Sequence, residues 1–193
     1  MIRYVLAMLL MTTPALAQAQ GLALWGKIYE VFSHPRCANC HVGSDNLPMW
    51  SGPEYGRKAR PHGMNISGGA SRKGAESIAC NTCHTPHNAQ VQHGPPGAEV
   101  WQLAPVSMQW FGKSSADICA QIKDPARNGR RKIVPEAGEP VDMHTIVGHI
   151  AIDKLVHWGW EPGPGRQPAP YSAAQLIEFL KQWDAAGAPC PTN

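Results

Sequence analysis

Two short cysteine motifs constrain this chain more than any other feature of its sequence. Residues 37–41 read Cys-Ala-Asn-Cys-His, and residues 80–84 read Cys-Asn-Thr-Cys-His. Each motif places its second cysteine three positions after the first, with a histidine directly behind it. Four of the six cysteines lie in these motifs. Three chemistries use such cysteine pairs: a zinc site, a thiol–disulfide centre and the covalent attachment of haem.

Zinc binding and thiol exchange each explain only part of the pattern. A four-thiolate zinc site could use both pairs, but the 39 residues between them exceed common ribbon spacings, and such a site needs no histidine behind each pair. A thioredoxin-type redox pair is expected beside a strand–helix unit, and no buried strand is predicted before either motif. One pair could also be an ordinary disulfide of an exported protein. Two pairs that are each followed by histidine favour c-type haem.

The geometry of a helical turn explains the cysteine spacing. Residues i and i+3 face the same side of a helix, about 5–6 Å apart. Cys37 and Cys40 could therefore form thioethers with two vinyl groups on one edge of a porphyrin, and His41 would lie beneath the iron. The second motif repeats this arrangement with Cys80, Cys83 and His84. The sequence thus predicts two c-type haems, with His41 and His84 as proximal iron ligands.

The N-terminal segment predicts export. Arg3 is followed by an apolar stretch at residues 4–11 and by Ala-Leu-Ala at residues 15–17, which is the layout of a secretory signal. The apolar stretch is shorter than the roughly 20 residues that span a bilayer, although an uncleaved membrane anchor is an alternative. We therefore expect a signal peptide at residues 1–19 and a periplasmic protein, soluble after cleavage, with no membrane span.

Residues 20–193 are expected to form a single domain. The chain length fits one domain, and the 43 positions from Cys37 to Cys80 are too few for a complete one-haem domain and a linker. With 19 Gly and 18 Pro residues the chain is rich in loops, so we expect a large cofactor or a covalent link to support a modest core. The 17 Lys+Arg and 14 Asp+Glu nearly balance and give no case for a nucleic-acid partner.

Helices are predicted at four places. The first and last carry apolar residues at amphipathic spacing, the second begins with a serine cap, and the third is the longest. In chain order the predicted helices span residues 23–32, 114–124, 143–160 and 172–183.

Cys119 and Cys190 lie outside the two motifs. An even remainder of cysteines in an exported protein suggests a disulfide, while two free thiols or a bond to another subunit are the alternatives. The bond would tie the second predicted helix to the C-terminal tail. Closing a loop of about 70 residues would contribute about 4 kcal/mol in the chain-entropy model.

The two motifs and the signal segment give the chain a resemblance to periplasmic dihaem c-type cytochromes. This resemblance implies a mainly α fold, with cytochrome c-like helices and long loops wrapped around two covalently bound haems, and a function in electron transfer. The predicted first and last helices are similar to the paired terminal helices of small cytochromes c. The segments ICAQIKDPARNGRRK and LVHWGWEPGPGRQPAP resemble small bacterial cytochromes described as isoquinoline 1-oxidoreductase subunits. Such a subunit would accept electrons from a molybdenum hydroxylase or another dehydrogenase.

The candidates for the sixth ligand of each iron are seven further histidines and the four methionines that follow the signal segment. For the first iron we expect His62, with Met64 as the substitute, because their loop lies between the two motifs and could fold back. For the second iron Met108, which has aromatic neighbours, ranks just ahead of His149. Asp153, one helical turn beyond His149, could orient its ring.

The leading hypothesis is a periplasmic electron carrier that connects a dehydrogenase to a respiratory acceptor such as a terminal oxidase or another cytochrome. On this hypothesis the partner is a redox protein and the chain has no catalytic residues of its own. Basic residues at 57–60 and 127–132 could neutralise haem propionates or steer an acidic partner. The alternative is a haem enzyme with an open iron site that reduces peroxide or another small oxidant. A haem-based sensor ranks last.

Overall fold

The computed structural model describes residues 2–56 and 58–192, with side chains from residue 15 onwards. Within that part of the chain the fold is mainly helical, as predicted. The helices are α1 (Ile2–Phe32), α2 (Pro35–Ala38), α3 (Ser115–Lys123), α4 (Ile146–Ile152), α5 (Lys154–His157) and α6 (Ala173–Ala185). Short 3-10 helices span Pro53–Tyr55, Gly63–Asn65, Cys80–Thr82 and Val106–Met108. Strands β1 (Met49–Trp50) and β2 (Arg60–Pro61) pair in antiparallel fashion. None of the helices described here is both long and apolar enough to cross a membrane.

The core lies between α1 and α6. Apolar residues spaced by three or four positions fall on one face of a helix and are buried together. The ring centres of Trp25 on α1 and Trp183 on α6 are 4.9 Å apart, and both rings are buried. The two helices thus pack against each other, as expected for the first and last helices. The fully buried side chains of this pair also include Ile28, Val31, Leu176 and Leu180.

Serine caps determine where α3 and α6 begin. The Ser114 hydroxyl accepts a hydrogen bond from the Asp117 backbone N–H at 3.1 Å, and the Asp117 carboxylate accepts one from the Ser114 N–H at 3.3 Å. Ser172 and Gln175 make the same reciprocal pair at 3.2 and 2.9 Å. Each pair satisfies two of the N–H groups that a helix N-terminus leaves without a partner. The predicted starts of these two helices are therefore confirmed.

The predicted disulfide between Cys119 and Cys190 is confirmed. The bond joins α3 to the C-terminal tail across a sequence separation of 71 residues. Lys123 supports the same connection, because its Nζ donates a hydrogen bond to the Ala188 carbonyl at 2.7 Å. Trp183 adds a hydrogen bond from its Nε1 to the Pro189 carbonyl at 2.9 Å. The C-terminal tail is thus attached to α3 and to α6.

The long helix predicted at 143–160 is wrong at its start, in its middle and at its end, since α5 ends at His157. It begins only at Ile146, because the Thr145 hydroxyl accepts the Gly148 N–H at 2.8 Å and caps α4 there. It also breaks at Asp153, which has an extended backbone with ψ of 117°. The Asp153 carboxylate accepts the Leu155 N–H at 2.8 Å and starts α5 instead. A short polar side chain that bonds the nearby backbone competes with helix continuation.

The expected signal peptide falls within α1. This helix continues without interruption through residues 15–17, where the cleavage site is predicted. Residue 1 and the side chains of residues 2–14 lie outside the described part of the structure. The signal peptide at 1–19 and the periplasmic location stay predictions.

Candidate functional site

The first cysteine motif forms one helical turn directly after α1. Pro35 is the first residue of α2, where its missing N–H costs nothing. The N–H groups of Cys40 and His41 both donate to the Cys37 carbonyl at 3.2 Å, which continues the turn past the end of α2. The two cysteines are partly buried and do not form a disulfide. The expected helical placement of Cys37 and Cys40 is therefore confirmed.

His41 is fixed by a segment far along the chain. Its Nδ1 lies 2.8 Å from the Met108 carbonyl, and its ring stacks on Trp110 with 3.5 Å between ring centres. Burial lowers the pKa of His41 to about 3, although the Met108 carbonyl opposes that shift. The ring is therefore neutral at pH 7. Because a carbonyl oxygen can only accept, Nδ1 carries the proton and Nε2 keeps a free lone pair.

The second motif forms a similar turn. Cys80 begins the 3-10 helix that ends at Thr82. The N–H groups of Cys83 and His84 both donate to the Cys80 carbonyl, at 3.3 and 3.0 Å. Cys80 is partly buried, Cys83 is exposed, and neither forms a disulfide. The two motifs thus share a local backbone arrangement, as the repeat in the sequence predicts.

His84 has the same kind of support as His41. Its Nδ1 lies 2.8 Å from the Pro96 carbonyl, and its ring is parallel to that of Trp101 at 4.2 Å between centres. Burial lowers the pKa of His84 to about 4, and the Pro96 carbonyl opposes the shift. This ring is also neutral at pH 7, with Nε2 free.

A single segment, residues 96–111, supports both histidines. It supplies the two carbonyl acceptors and the two stacked tryptophans, Trp101 and Trp110, which lie nine positions apart in the sequence. It also binds the first motif through the backbone, because the Ala104 N–H donates to the Cys40 carbonyl at 3.1 Å. The sequence reasoning missed this role. The sequence signal that could have found it is the pair of tryptophans, Trp101 and Trp110.

The two motifs meet at one cavity of about 240 Å³. Cys40 of the first motif and Cys83 and His84 of the second motif line it. An adjoining cavity of about 50 Å³ shares these three residues and adds Cys80. The walls are mostly apolar and aromatic, and they include Trp50, Tyr55, Pro95, Pro96, Trp101 and Trp158.

His62 lies beside the second motif, although it was expected at the first iron, and Met64, its substitute, lines the cavity that both motifs share. The ring centre of His62 is 6.1 Å from that of His84, and both candidates line the shared cavity. The hairpin of β1 and β2 is the physical reason. The hairpin is attached to the first motif, because the Met49 N–H donates to the Asn39 carbonyl at 3.0 Å. Its second strand ends directly before His62, which therefore lies on the side of the cavity where the second motif is.

Met108 and His149 were expected at the second iron, but they lie beside the first motif. The Met108 carbonyl contacts His41, and the Met108 side chain is buried in the core. His149 is close enough to His41 to lower the pKa of His41 further. The Asp153 carboxylate lies 3.3 Å from Nδ1 of His149, where it was expected as an orienting group. The structure thus places His62 beside His84, and Met108 and His149 beside His41, whereas which of these residues binds an iron stays a prediction.

The cationic groups that line the cavity are Arg36 and Arg166, and the sequence reasoning singled out neither. Arg36 is buried and pairs with Glu54, and its Nε donates to the Gln167 carbonyl at 2.8 Å. Arg166 donates to the Gly94 carbonyl at 2.7 Å. Of the basic residues that the sequence suggested, Arg127 donates to the Ser107 carbonyl, Arg131 donates to the Met143 carbonyl and Lys132 pairs with Glu136. Arg57 lies outside the described residues.

Comparisons with protein-family models, curated proteins and solved structures find no significant match for this chain. Within residues 2–56 and 58–192, no three His, Cys, Asp or Glu side chains converge in the way that a four-thiolate zinc site requires.

Proposed function

We propose that this chain is a dihaem c-type cytochrome that transfers electrons in the periplasm. The observation that carries the proposal is the matched support of the two motif histidines. Each follows a helical turn bearing two unpaired cysteines, and each has its Nδ1 held by a backbone carbonyl. That arrangement fixes a histidine tautomer with Nε2 available to a metal, because a metal-bound histidine usually donates its other ring N–H to a carbonyl or carboxylate.

The residues present fit c-type attachment. Each thioether would form by addition of a cysteine S–H across a vinyl C=C bond, so no atom would be lost and no oxidant would be needed. Burial raises the pKa of Cys37 to about 12 and that of Cys40 to about 11. Both are therefore thiols at neutral pH, whereas reactive redox cysteines have a lowered pKa. On this proposal Cys37 and Cys40 anchor one haem with His41 as ligand, and Cys80 and Cys83 anchor the other with His84.

The shared cavity also supports the proposal at the second motif, because Cys83 and His84 line it together with Cys40. Aromatic and proline side chains make its walls apolar, and Arg166 lines it, whereas Arg36 is already paired with Glu54. Guanidinium groups pair well with carboxylates such as haem propionates. When bound, the two haems would supply one-electron oxidation and reduction at iron. Because Cys40 and Cys80 line one cavity, the two centres would be adjacent, which suits the passage of an electron from one to the other.

The proposed partner is a redox protein. The resemblance of the C-terminal half to isoquinoline 1-oxidoreductase subunits favours a dehydrogenase, such as a molybdenum hydroxylase, as the electron donor. A terminal oxidase or another cytochrome would then be the acceptor.

A haem count and a redox titration test this proposal. The chain is produced in a bacterial host that matures c-type cytochromes, and haem is measured as its pyridine derivative per mole of protein. We expect two haems per chain, and reversible one-electron steps with dithionite and ferricyanide as the probes. A protein that folds without haem, or that cannot be reduced and reoxidised, would contradict the proposal.

A further inference from the structure

The structure assigns His62 as the sixth ligand of the iron at the second motif, opposite His84. This inference rests on the proposed function, because it requires haem at Cys80 and Cys83. It goes further in naming the ligand set of one centre, a pair of histidines. With two histidine ligands, that iron would have no open position for a small oxidant.

The separation of the two rings carries the inference. The ring centres of His62 and His84 are 6.1 Å apart. A histidine nitrogen binds a transition metal at about 2.0–2.1 Å and lies about 1.1 Å from its ring centre, so two imidazoles on opposite sides of one ion have centres about 6 Å apart. The observed distance matches that value. Among the ring contacts of residues 2–56 and 58–192, no other joins His41 or His84 to a second histidine.

The free nitrogen atoms are the correct ones. Nδ1 of His62 lies 2.9 Å from the Gly63 carbonyl, just as Nδ1 of His84 lies 2.8 Å from the Pro96 carbonyl. Each carbonyl can only accept, so each Nδ1 carries the proton. Both histidines therefore keep Nε2 as the atom that can donate its lone pair to a metal.

The hairpin holds His62 in place without any metal. The His62 N–H donates to the Pro48 carbonyl at 2.8 Å, directly after the pairing of β1 with β2. The Trp50 ring packs beside it, with 6.2 Å between ring centres. A ligand fixed in advance loses little conformational entropy when it binds. His62 thus has the position and the support of a ligand.

The competing side chains in the same cavity fit the role less well. His93 lines the cavity, but its ring packs against Tyr55, and among the ring contacts of the described residues none joins it to His84. Met64 is 74% exposed to solvent, so its thioether is not held inside the apolar cavity. His87, close to the second motif in sequence, is exposed. His62 alone among these combines the ring separation with a free Nε2.

Removing the imidazole of His62 is the direct test, read by absorption and electron paramagnetic resonance spectra. In His62→Ala we expect one of the two irons to change from low spin to high spin, and added imidazole to restore the low-spin spectrum. In His62→Met that iron should stay low spin, and its reduction potential should rise because His/Met ligation raises it. His87→Ala is the matched control and should leave both irons unchanged.

A second variant assigns the affected iron. Cys80→Ser combined with Cys83→Ser should leave only the haem of the first motif, and adding His62→Ala should not alter its spectrum. Conversion of that remaining haem to high spin would overturn the inference, since His62 would then serve the first iron. The inference also fails if both irons of the intact His62→Ala chain stay low spin with unchanged potentials, or if only His93→Ala produces the high-spin iron. A wild-type chain without haem would instead contradict the proposed function itself.

Discussion

At the scale of single residues, the two motif histidines have nearly identical surroundings although 43 positions separate them. Each has a carbonyl at Nδ1 and a tryptophan parallel to its ring. The sequence predicted the cysteines and both histidines, because their spacing is dictated by local helical geometry. It could not predict Trp101, Trp110 or the two carbonyls, because these contacts join residues distant in sequence and depend on the tertiary fold.

The two tryptophans should differ in their effect on stability. Trp110 is buried and also stacks on Phe32, with 4.5 Å between ring centres, whereas Trp101 is partly exposed. We expect Trp110→Ala to lower the free energy of unfolding by about 3–5 kcal/mol, the usual cost of removing a buried aromatic ring. Trp101→Ala should cost less. Urea unfolding of both variants checks this, and equal losses would show that the burial of Trp110 is not decisive.

The pair of Arg36 and Glu54 should make stability depend on pH. The Arg36 side chain is 2% exposed and that of Glu54 is 10% exposed. Burial alone would raise the pKa of Glu54, but hydrogen bonds from its own backbone N–H and from Arg36 hold that pKa below its ordinary value of 4.5. A carboxyl with a lowered folded-state pKa contributes stability above its unfolded pKa, and loses that contribution as the pH falls through the folded value.

Glu54→Ala should therefore cost about 3 kcal/mol at pH 7, because it leaves the Arg36 charge buried without its partner. The difference between this variant and the wild type should shrink when the pH is lowered below 4.5. Unfolding curves recorded from pH 7 downwards measure it. Glu54→Gln keeps the shape of the side chain and separates the loss of charge from the loss of packing. A difference that does not change with pH would contradict this account.

At the scale of elements, the helices with capped ends and amphipathic faces were predictable and the hairpin was not. Sequence signals of this kind mark α3 and α6, where serine and the residue three positions later cap the helix. Strands of two residues are too short to show an alternating pattern. Because the hairpin sets the position of His62, the sequence could not predict that His62 lies beside His84.

The cap of α6 should carry a measurable share of stability. Ser172→Ala removes the hydroxyl that accepts the Gln175 N–H. We expect a loss of about 1 kcal/mol in the free energy of unfolding, the typical cost of deleting such a cap. Thermal unfolding followed by circular dichroism measures it, with exposed Ser77→Ala as the control. No difference between the two variants would mean that tertiary packing alone determines where α6 begins.

At the scale of the whole molecule, contacts between the first helix and the C-terminal part of the chain stabilise the fold. Helices α1 and α6 pack through Trp25 and Trp183, and the disulfide ties the tail to α3. The mainly helical fold and the disulfide were predictable, since amphipathic spacing and an even number of remaining cysteines are visible in the sequence. The meeting of both motifs at one cavity was not, because it results from the path of residues 96–111 across the molecule.

Removing the disulfide should lower the free energy of unfolding and leave the two Cys-x-x-Cys-His motifs unchanged, because Cys119 and Cys190 lie outside them. For Cys119→Ser combined with Cys190→Ser, we expect the free energy of unfolding to fall by about 4 kcal/mol, the value for a loop of this length in the chain-entropy model. Urea unfolding of the variant, compared with the oxidised wild type, measures the loss. A variant as stable as the oxidised wild type would show that the tail is held by its hydrogen bonds and packing alone.

The intact mass of the mature protein tests the central claim most directly. After expression in a host that matures c-type cytochromes, the wild-type chain should carry the added mass of two haems. Cys37→Ser combined with Cys40→Ser should carry one, and so should Cys80→Ser combined with Cys83→Ser. A wild-type mass equal to that of the polypeptide alone would contradict the account.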